Sequence, residues 1–206
     1  IVLVDDLLDF KVEEVYLNGE KVAEKGNYLP KFKKEDITPV LDSIHLKDFS
    51  KEKFKMHLKS NHVNVITIQP GGVLTKKEDA YIQTKDGEFV FYPNVDLVKV
   101  AVVERHQMTG NVATGILKGY GIKRGAIALS VAHDSHNIIV VGVNDEEMET
   151  AVKAVQDING GFVVVLDGRV IGSMPLPIAG LMSDQSGEWV ANKLVELHNL
   201  AYDKLG

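Results

Sequence analysis

Five consecutive polar residues, His133-Asp134-Ser135-His136-Asn137 (the HDSHN loop), form the densest group of chemically active side chains in the sequence. They stand between two apolar runs, Ala126–Ala132 and Ile138–Val141, each of which is typical of a strand. A five-residue connection suits a hairpin or a tight loop. The sequence therefore predicts a sheet that presents two imidazoles, a carboxylate, a hydroxyl and an amide on one loop. The alternative is that these residues are ordinary turn formers with exposed histidines.

A second polar group, Glu104-Arg105-His106, follows an apolar run that we predict as a strand over residues 98–104. Polar residues at the end of a buried strand are a frequent place for function. Glu104 could act as an acid or base and His106 could orient a substrate; the alternative is an ion pair that closes the strand. If this strand lies beside a strand of the HDSHN loop, the two groups form one polar rim. The candidate site residues are Glu104, His106, His133, Asp134 and His136.

The HDSHN loop also raises the hypothesis of a metal site, with His133 and His136 as ligands and Asp134 as a third. Imidazole and carboxylate groups suit zinc, iron or manganese. The spacing is weak evidence, because helical metal pairs usually stand at i and i+4 and the chain contains neither HExxH nor HxH. Whether the two rings converge in a tight loop stays open at this point.

Composition limits the possible classes of protein. The 206 residues are enough for one large domain with its own core, and 45% apolar with 25% charged residues is ordinary for a soluble protein. The absence of cysteine excludes disulfides and thiolate metal sites and permits a reducing compartment. A net charge of −6 argues against nucleic acid as a partner, and no apolar run approaches the roughly 20 residues of a membrane span. We expect a cytoplasmic protein.

Many short strands with a few helices predict an α+β or α/β fold of layered sheets. Residues 1–30 indicate a few strands around an Asn18-Gly19 turn, residues 31–36 a linker, and residues 37–206 the main domain. Three helices are predicted. The first covers residues 51–59, the second follows an N-cap at Asn144 that forms a capping box with Glu147, and the third covers about residues 187–205.

Three stretches, RGAIALSVAHDSHNIIVVG, VERHQMTGN and LPIAGLMSD, together resemble the C-terminal region of the adenine deaminases of bacteria and archaea, which belong to the amidohydrolase superfamily. The resemblance covers essentially the whole chain. Residues 1–24 are similar to the last strands of the β-sandwich that flanks an amidohydrolase barrel, and the region from about residue 37 resembles the family's own C-terminal domain. The barrel that carries the principal metal ligands is absent, so we expect a part of a longer polypeptide.

The resemblance implies that the intact enzyme converts adenine and water to hypoxanthine and ammonia in purine salvage, with a divalent metal (manganese, iron or zinc) that activates a hydroxide. It also implies a homo-oligomer. For this chain alone we expect no bound metal and no activity, and a role in capping the barrel or in assembly. Two alternatives remain: an independent metal-dependent hydrolase site at the HDSHN loop, and a non-catalytic binding or assembly module.

Overall fold

The computed structural model describes every residue of the chain except residues 32 and 34. Both of these lie in the predicted linker, residues 31–36, and outside the described residues. The chain forms two compact units, Ile1–Asp36 and Ile37–Gly206. No helix among the described residues is both long and apolar enough to cross a membrane.

The first unit is a four-stranded antiparallel sheet in which each strand pairs with the next along the chain. The strands are β1 (Val2–Val4), β2 (Val12–Leu17), β3 (Glu20–Glu24) and β4 (Asn27–Tyr28). Asn18 and Gly19 have φ values of 50° and 86°, and the tight hairpin between β2 and β3 requires this left-handed conformation at both positions.

The second unit is built on an eight-stranded sheet with two α-helices against it. Its elements are β5 (His62–Ile68), β6 (Thr75–Tyr81), β7 (Gln83–Lys85), β8 (Glu88–Val90), β9 (Leu97–Val103), β10 (Val112–Lys118), β11 (Ala126–Leu129), β12 (Ile138–Gly142), α1 (Asp145–Asp157), β13 (Gly161–Leu166), β14 (Arg169–Pro175) and α2 (Gly187–Leu205). The strand order in the sheet is β14-β13-β11-β12-β9-β10-β5-β6, and β7 and β8 form a separate hairpin. Only the β10–β5 pair of this sheet is parallel. The arrangement confirms the predicted fold class of layered sheets with few helices.

The two helices cover opposite faces of the sheet. Helix α1 packs against β11, β12 and β13, where the alternate strand residues Ala128, Val140 and Val163 meet Met148 and Val152 of the helix. Helix α2 packs against β13 and β14 at one end of the other face, with Leu197 and Leu205 buried. Burying a side chain of this size contributes about 1.5–3 kcal/mol relative to leaving it in water. Because the cluster on the α1 face contains more buried residues than the cluster on the α2 face, it is the main core.

Helix α1 begins as predicted, but its capping differs in one contact. The Asn144 side chain accepts a hydrogen bond from the backbone N–H of Glu147 at 2.8 Å, so Asn144 is the N-cap. The Glu147 carboxylate does not complete the capping box. It accepts instead from the backbone N–H of Gly168 at 3.1 Å, and so ties α1 to the β13–β14 turn.

The helix predicted at residues 51–59 is wrong beyond its first turn. A 3₁₀ turn covers Lys51–Phe54, and the chain then continues extended. The reason is that the backbone N–H of Met56 donates to the Glu88 carboxylate at 3.2 Å and that of Leu58 to the Gly87 carbonyl at 2.7 Å. The β7–β8 hairpin therefore takes the donors that a helix would have used.

Candidate functional site

The sheet brings the two predicted polar groups together. Strand β12 pairs antiparallel with β9, with Ile138 opposite Val103, so the HDSHN loop lies beside the residues that follow β9. The Nε2 atom of His106 is 2.9 Å from the carbonyl oxygen of Ser135. The condition that the two strands are neighbours is therefore met. Glu104–His106 and the HDSHN loop form one continuous edge, which we call the polar rim.

The connection between β11 and β12 is longer than predicted, because β11 ends at Leu129 rather than at Ala132. The buried Ser130 ends the strand: its hydroxyl donates to the Gly180 carbonyl at 2.6 Å and accepts from the backbone N–H of Gly161 at 2.7 Å. The loop thus spans residues 130–137, and its first residue is fixed to Gly161 at the start of β13 and to the loop at Gly180.

Within the polar rim, the His133 and Asp134 side chains are highly accessible, with 87% and 84% of their side-chain surface exposed. The His133 Nδ1 atom contacts the Asp134 carboxylate, and the His133 and His136 ring centroids are 6.0 Å apart at an interplanar angle of 76°. His136 is half-buried. Its Nδ1 atom and the side-chain oxygen of Asn137 are buried and have no hydrogen-bond partner among the described residues. The His133 and Asp134 side chains can therefore meet a ligand directly, whereas the His136 ring lies partly inside the loop.

The polar rim does not fit a metal ion. A zinc or similar site needs three or four ligands that converge on one point, and no group of three or more histidine, aspartate or glutamate side chains in the described part of the chain has that arrangement. His133 and Asp134 contact each other, and the His136 Nδ1 atom is buried. The structure therefore gives no support to a metal site built by this loop alone.

Glu104 is held as an ionised carboxylate by its own loop. Partial burial by itself would raise the pKa of the carboxyl group, but hydrogen bonds from the Thr109 and Gln107 backbone, the Thr109 hydroxyl and the His106 backbone lower the pKa to about 2. Those hydrogen bonds are 2.5–2.9 Å long. A general acid or base needs a pKa near the working pH. The geometry shows the Glu104 carboxylate ordering the turn that follows β9, and its role as an acid or base stays a prediction.

Arg105 is the organising residue that sequence reasoning passed over. Its side chain is 1% exposed, and the guanidinium donates to the carbonyl oxygens of His136 at 2.6 Å, Ser43 at 2.8 Å and Ala179 at 3.1 Å. Burial lowers the pKa of the guanidinium. The Arg105 guanidinium thus joins the HDSHN loop to Ala179, in the loop after β14, and to Ser43, near the start of the second unit. The only signal in the sequence was an arginine directly after a strongly apolar strand.

Gly180 is required by this arrangement. Its φ is +71°, and a Cβ atom at this position would lie 2.9 Å from Arg105 Nη1. Its carbonyl accepts the Ser130 hydroxyl. The three stretches that carry the family resemblance therefore meet around the Arg105 guanidinium.

Comparison with known proteins agrees with these shared stretches. Residues 72–206 match a family described as "Adenine deaminase C-terminal domain". The chain is 54% identical over its whole length to adenine deaminase 2 of Desulfotalea psychrophila, 44% identical over its whole length to adenine deaminase of Ligilactobacillus salivarius, and 43% identical over 97% of its length to adenine deaminase 2 of Carboxydothermus hydrogenoformans. It spans about a third of the length of these relatives, 36%, 36% and 35% respectively.

Proposed function

Because the chain belongs to the family of adenine deaminase C-terminal domains, we propose that it is part of an adenine deaminase, which hydrolyses adenine to hypoxanthine and ammonia in purine salvage. The resemblance predicted from the three sequence stretches is confirmed by the family match. The parent enzyme would be a cytoplasmic homo-oligomer. Residues 1–30 would be the last strands of a β-sandwich beside its barrel, and residues 37–206 the C-terminal α/β domain.

The metal of the parent enzyme, whether manganese, iron or zinc, would be bound outside this chain. The polar rim lacks a converging ligand set among the described residues, so the chain alone would not deaminate adenine. Its contribution would be to the environment of the substrate. A site that deaminates a purine has to exclude water and still offer hydrogen-bond partners to the ring nitrogens.

The observation that carries the proposal is the contact between the two polar groups across β9 and β12. The His106 ring bonds the Ser135 carbonyl, and the Arg105 guanidinium bonds the His136 carbonyl. A loop held at both points is preorganised, and preorganised polar groups are what an active-site cap needs. We infer that the rim faces the mouth of the barrel, with His133 and Asp134 towards the substrate and with the His136 ring, whose Nδ1 atom has no partner among the described residues, helping to order the closed site.

The test is kinetic and uses the full-length enzyme that contains this chain. His133→Ala and His136→Ala should each lower kcat/KM by roughly 10- to 1000-fold, the range for one lost acid–base or polar group, with an unchanged metal content. The matched control is His57→Ala, an exposed histidine between Phe54 and the start of β5, which should leave the kinetics unchanged.

Two results would contradict the proposal. Normal kinetics in both rim variants would reduce the HDSHN loop to an ordinary turn. Joint loss of metal and activity would make it a ligand loop of the parent enzyme instead. The isolated chain gives an independent check: ammonia release from adenine at an ordinary enzyme rate, on the order of 1–1000 per second, would show that the chain carries a complete site.

A further inference from the structure

The strands that support the polar rim are apolar on both faces. Strand β9 reads LVKVAVV and β12 reads IIVVG. An antiparallel strand with one face in water normally alternates apolar and polar residues, whereas apolar residues on both faces are typical of a sheet that is covered on both sides. In β9 the usual arrangement of polar residues towards water does not hold, because its one polar residue, Lys99, is buried on the α1 side.

One of these two faces is covered only in part, because Val98 and Val141 are buried on it while residues beside them are not. On the α1 side, Ala101, Val103 and Val140 are at most 2% exposed. On the other side, Val102 is 37% exposed although it is the next residue along β9, and Ile66 on β5 is 43% exposed. Helix α2 packs against β13 and β14 on this side, at one end of the sheet.

The open side forms a continuous apolar surface. Residues directly opposite each other in a ladder project from the same face, and the registers place Leu129 opposite Ile139, Ile139 opposite Val102, and Val102 opposite Ala113. Beside this row, Gly115 lets the Val100 and Ile66 side chains approach each other across β10. We call this surface the open face and define it as Ile66, Val100, Val102, Ala113, Leu129 and Ile139.

The open face extends to α2 and borders the polar rim. A groove of about 160 Å³ lies between the sheet and α2, lined by Leu129 and Phe162 on one side and Leu194 on the other. Leu194 is 37% exposed. At the other boundary, Val102 is two residues from Glu104, so the open face and the rim are carried by the same strand ends.

We propose that the open face is the docking surface for the rest of the parent polypeptide, the part that makes up nearly two thirds of the relatives' length. This inference rests on the proposed function. The occupant has an apolar, uncharged contact surface that inserts side chains into the groove beside Leu194. Because the face ends at the polar rim, the same docking brings the rim against the active site that we propose lies in that polypeptide.

The chain has no cysteine, so a single introduced thiol reports the accessibility of one position. Val102→Cys and, as a second variant, Ile66→Cys are prepared both in this chain and in the full-length enzyme. Their rates of reaction with a maleimide are measured by site-resolved mass spectrometry. The matched control is Val170→Cys, at 46% exposure on β14. Sedimentation velocity gives the oligomeric state of each sample.

The expected result is fast labelling of both positions in the isolated chain and at least tenfold slower labelling in the full-length enzyme, with the control equally fast in both. Equal rates in the two proteins would overturn the inference. So would protection in the isolated chain that accompanies its dimerisation, because the occupant would then be a second copy. The outcome is independent of catalysis: protection of Val102→Cys with normal kinetics of the His133 and His136 variants would refute the proposed function of the rim and leave the docking surface standing.

Discussion

Replacing Arg105 with methionine tests the central structural claim about the polar rim. The Arg105→Met substitution keeps an unbranched side chain of similar reach and removes every donor of the guanidinium. Three carbonyl groups, those of Ser43, His136 and Ala179, would lose their hydrogen bonds from this cation. Because Arg105 is 1% exposed, water cannot take its place without opening the packing around it.

The magnitude follows from the number of acceptors left without a partner. A buried polar group without a partner costs about 1–3 kcal/mol, and the low end applies here because carbonyl oxygens tolerate a missing bond better than N–H groups do. Three acceptors give about 3 kcal/mol. Removing a buried charge recovers part of its desolvation cost. The expected loss in the free energy of unfolding is therefore about 2–4 kcal/mol, against a total of about 5–15 kcal/mol.

Urea unfolding followed by circular dichroism measures this loss. With a slope of about 2 kcal/mol per molar urea, the midpoint should fall by about 1–2 M. The control is Arg124→Met, whose side chain is 57% exposed and whose guanidinium is 3.4 Å from the Asp167 carboxylate; an exposed pair of this kind contributes about 0–1 kcal/mol. Arg105→Lys should lie between, because an ammonium cannot span three carbonyls. Equal losses for Arg105→Met and Arg124→Met would refute the reasoning.

Two further substitutions examine the loops on either side of Arg105. Glu104→Gln removes a carboxylate whose pKa is lowered from 4.5 to about 2. A carboxylate with a lowered pKa stabilises the fold above about pH 4.5, and this contribution is lost as the pH falls towards 2. Between pH 7 and pH 3 the free energy of unfolding of the unmodified chain should therefore fall by about 1 kcal/mol more than that of the variant, after allowance for solvent screening. Parallel pH profiles in urea titrations would disprove this. Ser130→Ala leaves the Gly161 N–H and the Gly180 carbonyl without the hydroxyl that bonds them both. The free energy of unfolding should therefore fall by about 2–3 kcal/mol. A fall of less than about 0.5 kcal/mol would show that water replaces the hydroxyl.

The features that could be predicted from the sequence depend on residues close together in the chain. The Asn144 cap, the Asn18-Gly19 turn and the bounds of α2 at Gly187–Leu205 are all set within a few residues of themselves. The predicted helix at residues 51–59 failed for the opposite reason. Its backbone N–H groups are bonded by Gly87 and Glu88, about thirty positions away in the chain. The local sequence pattern carries no information about these partners.

The candidate site divides in the same way. The two polar groups could be recognised from residue types and from the apolar runs before them, and their meeting required only that β9 and β12 be neighbours. The role of Arg105 could not be predicted, because its partners are backbone carbonyls at three distant places in the chain. Every residue has a backbone carbonyl, so the residue types do not indicate which ones bind the guanidinium. The contacts of the Glu104 carboxylate could not be predicted for the same reason, because most of its partners are backbone N–H groups.

The polar rim and the open face are also coupled mechanically. Val102, Val103 and Glu104 are consecutive residues: the first lies on the open face, the second is buried against α1, and the third orders the rim. A polypeptide that covers Val102 therefore holds the end of β9 from one side while the α1 core holds it from the other. Sheet packing is close to rigid, so fixing that strand end also fixes the loop that follows it, including the Arg105 guanidinium and the HDSHN loop bound to it. Covering the open face would therefore add rigidity to a rim that the Arg105 and His106 contacts already preorganise, in the state in which a cap over an active site is useful.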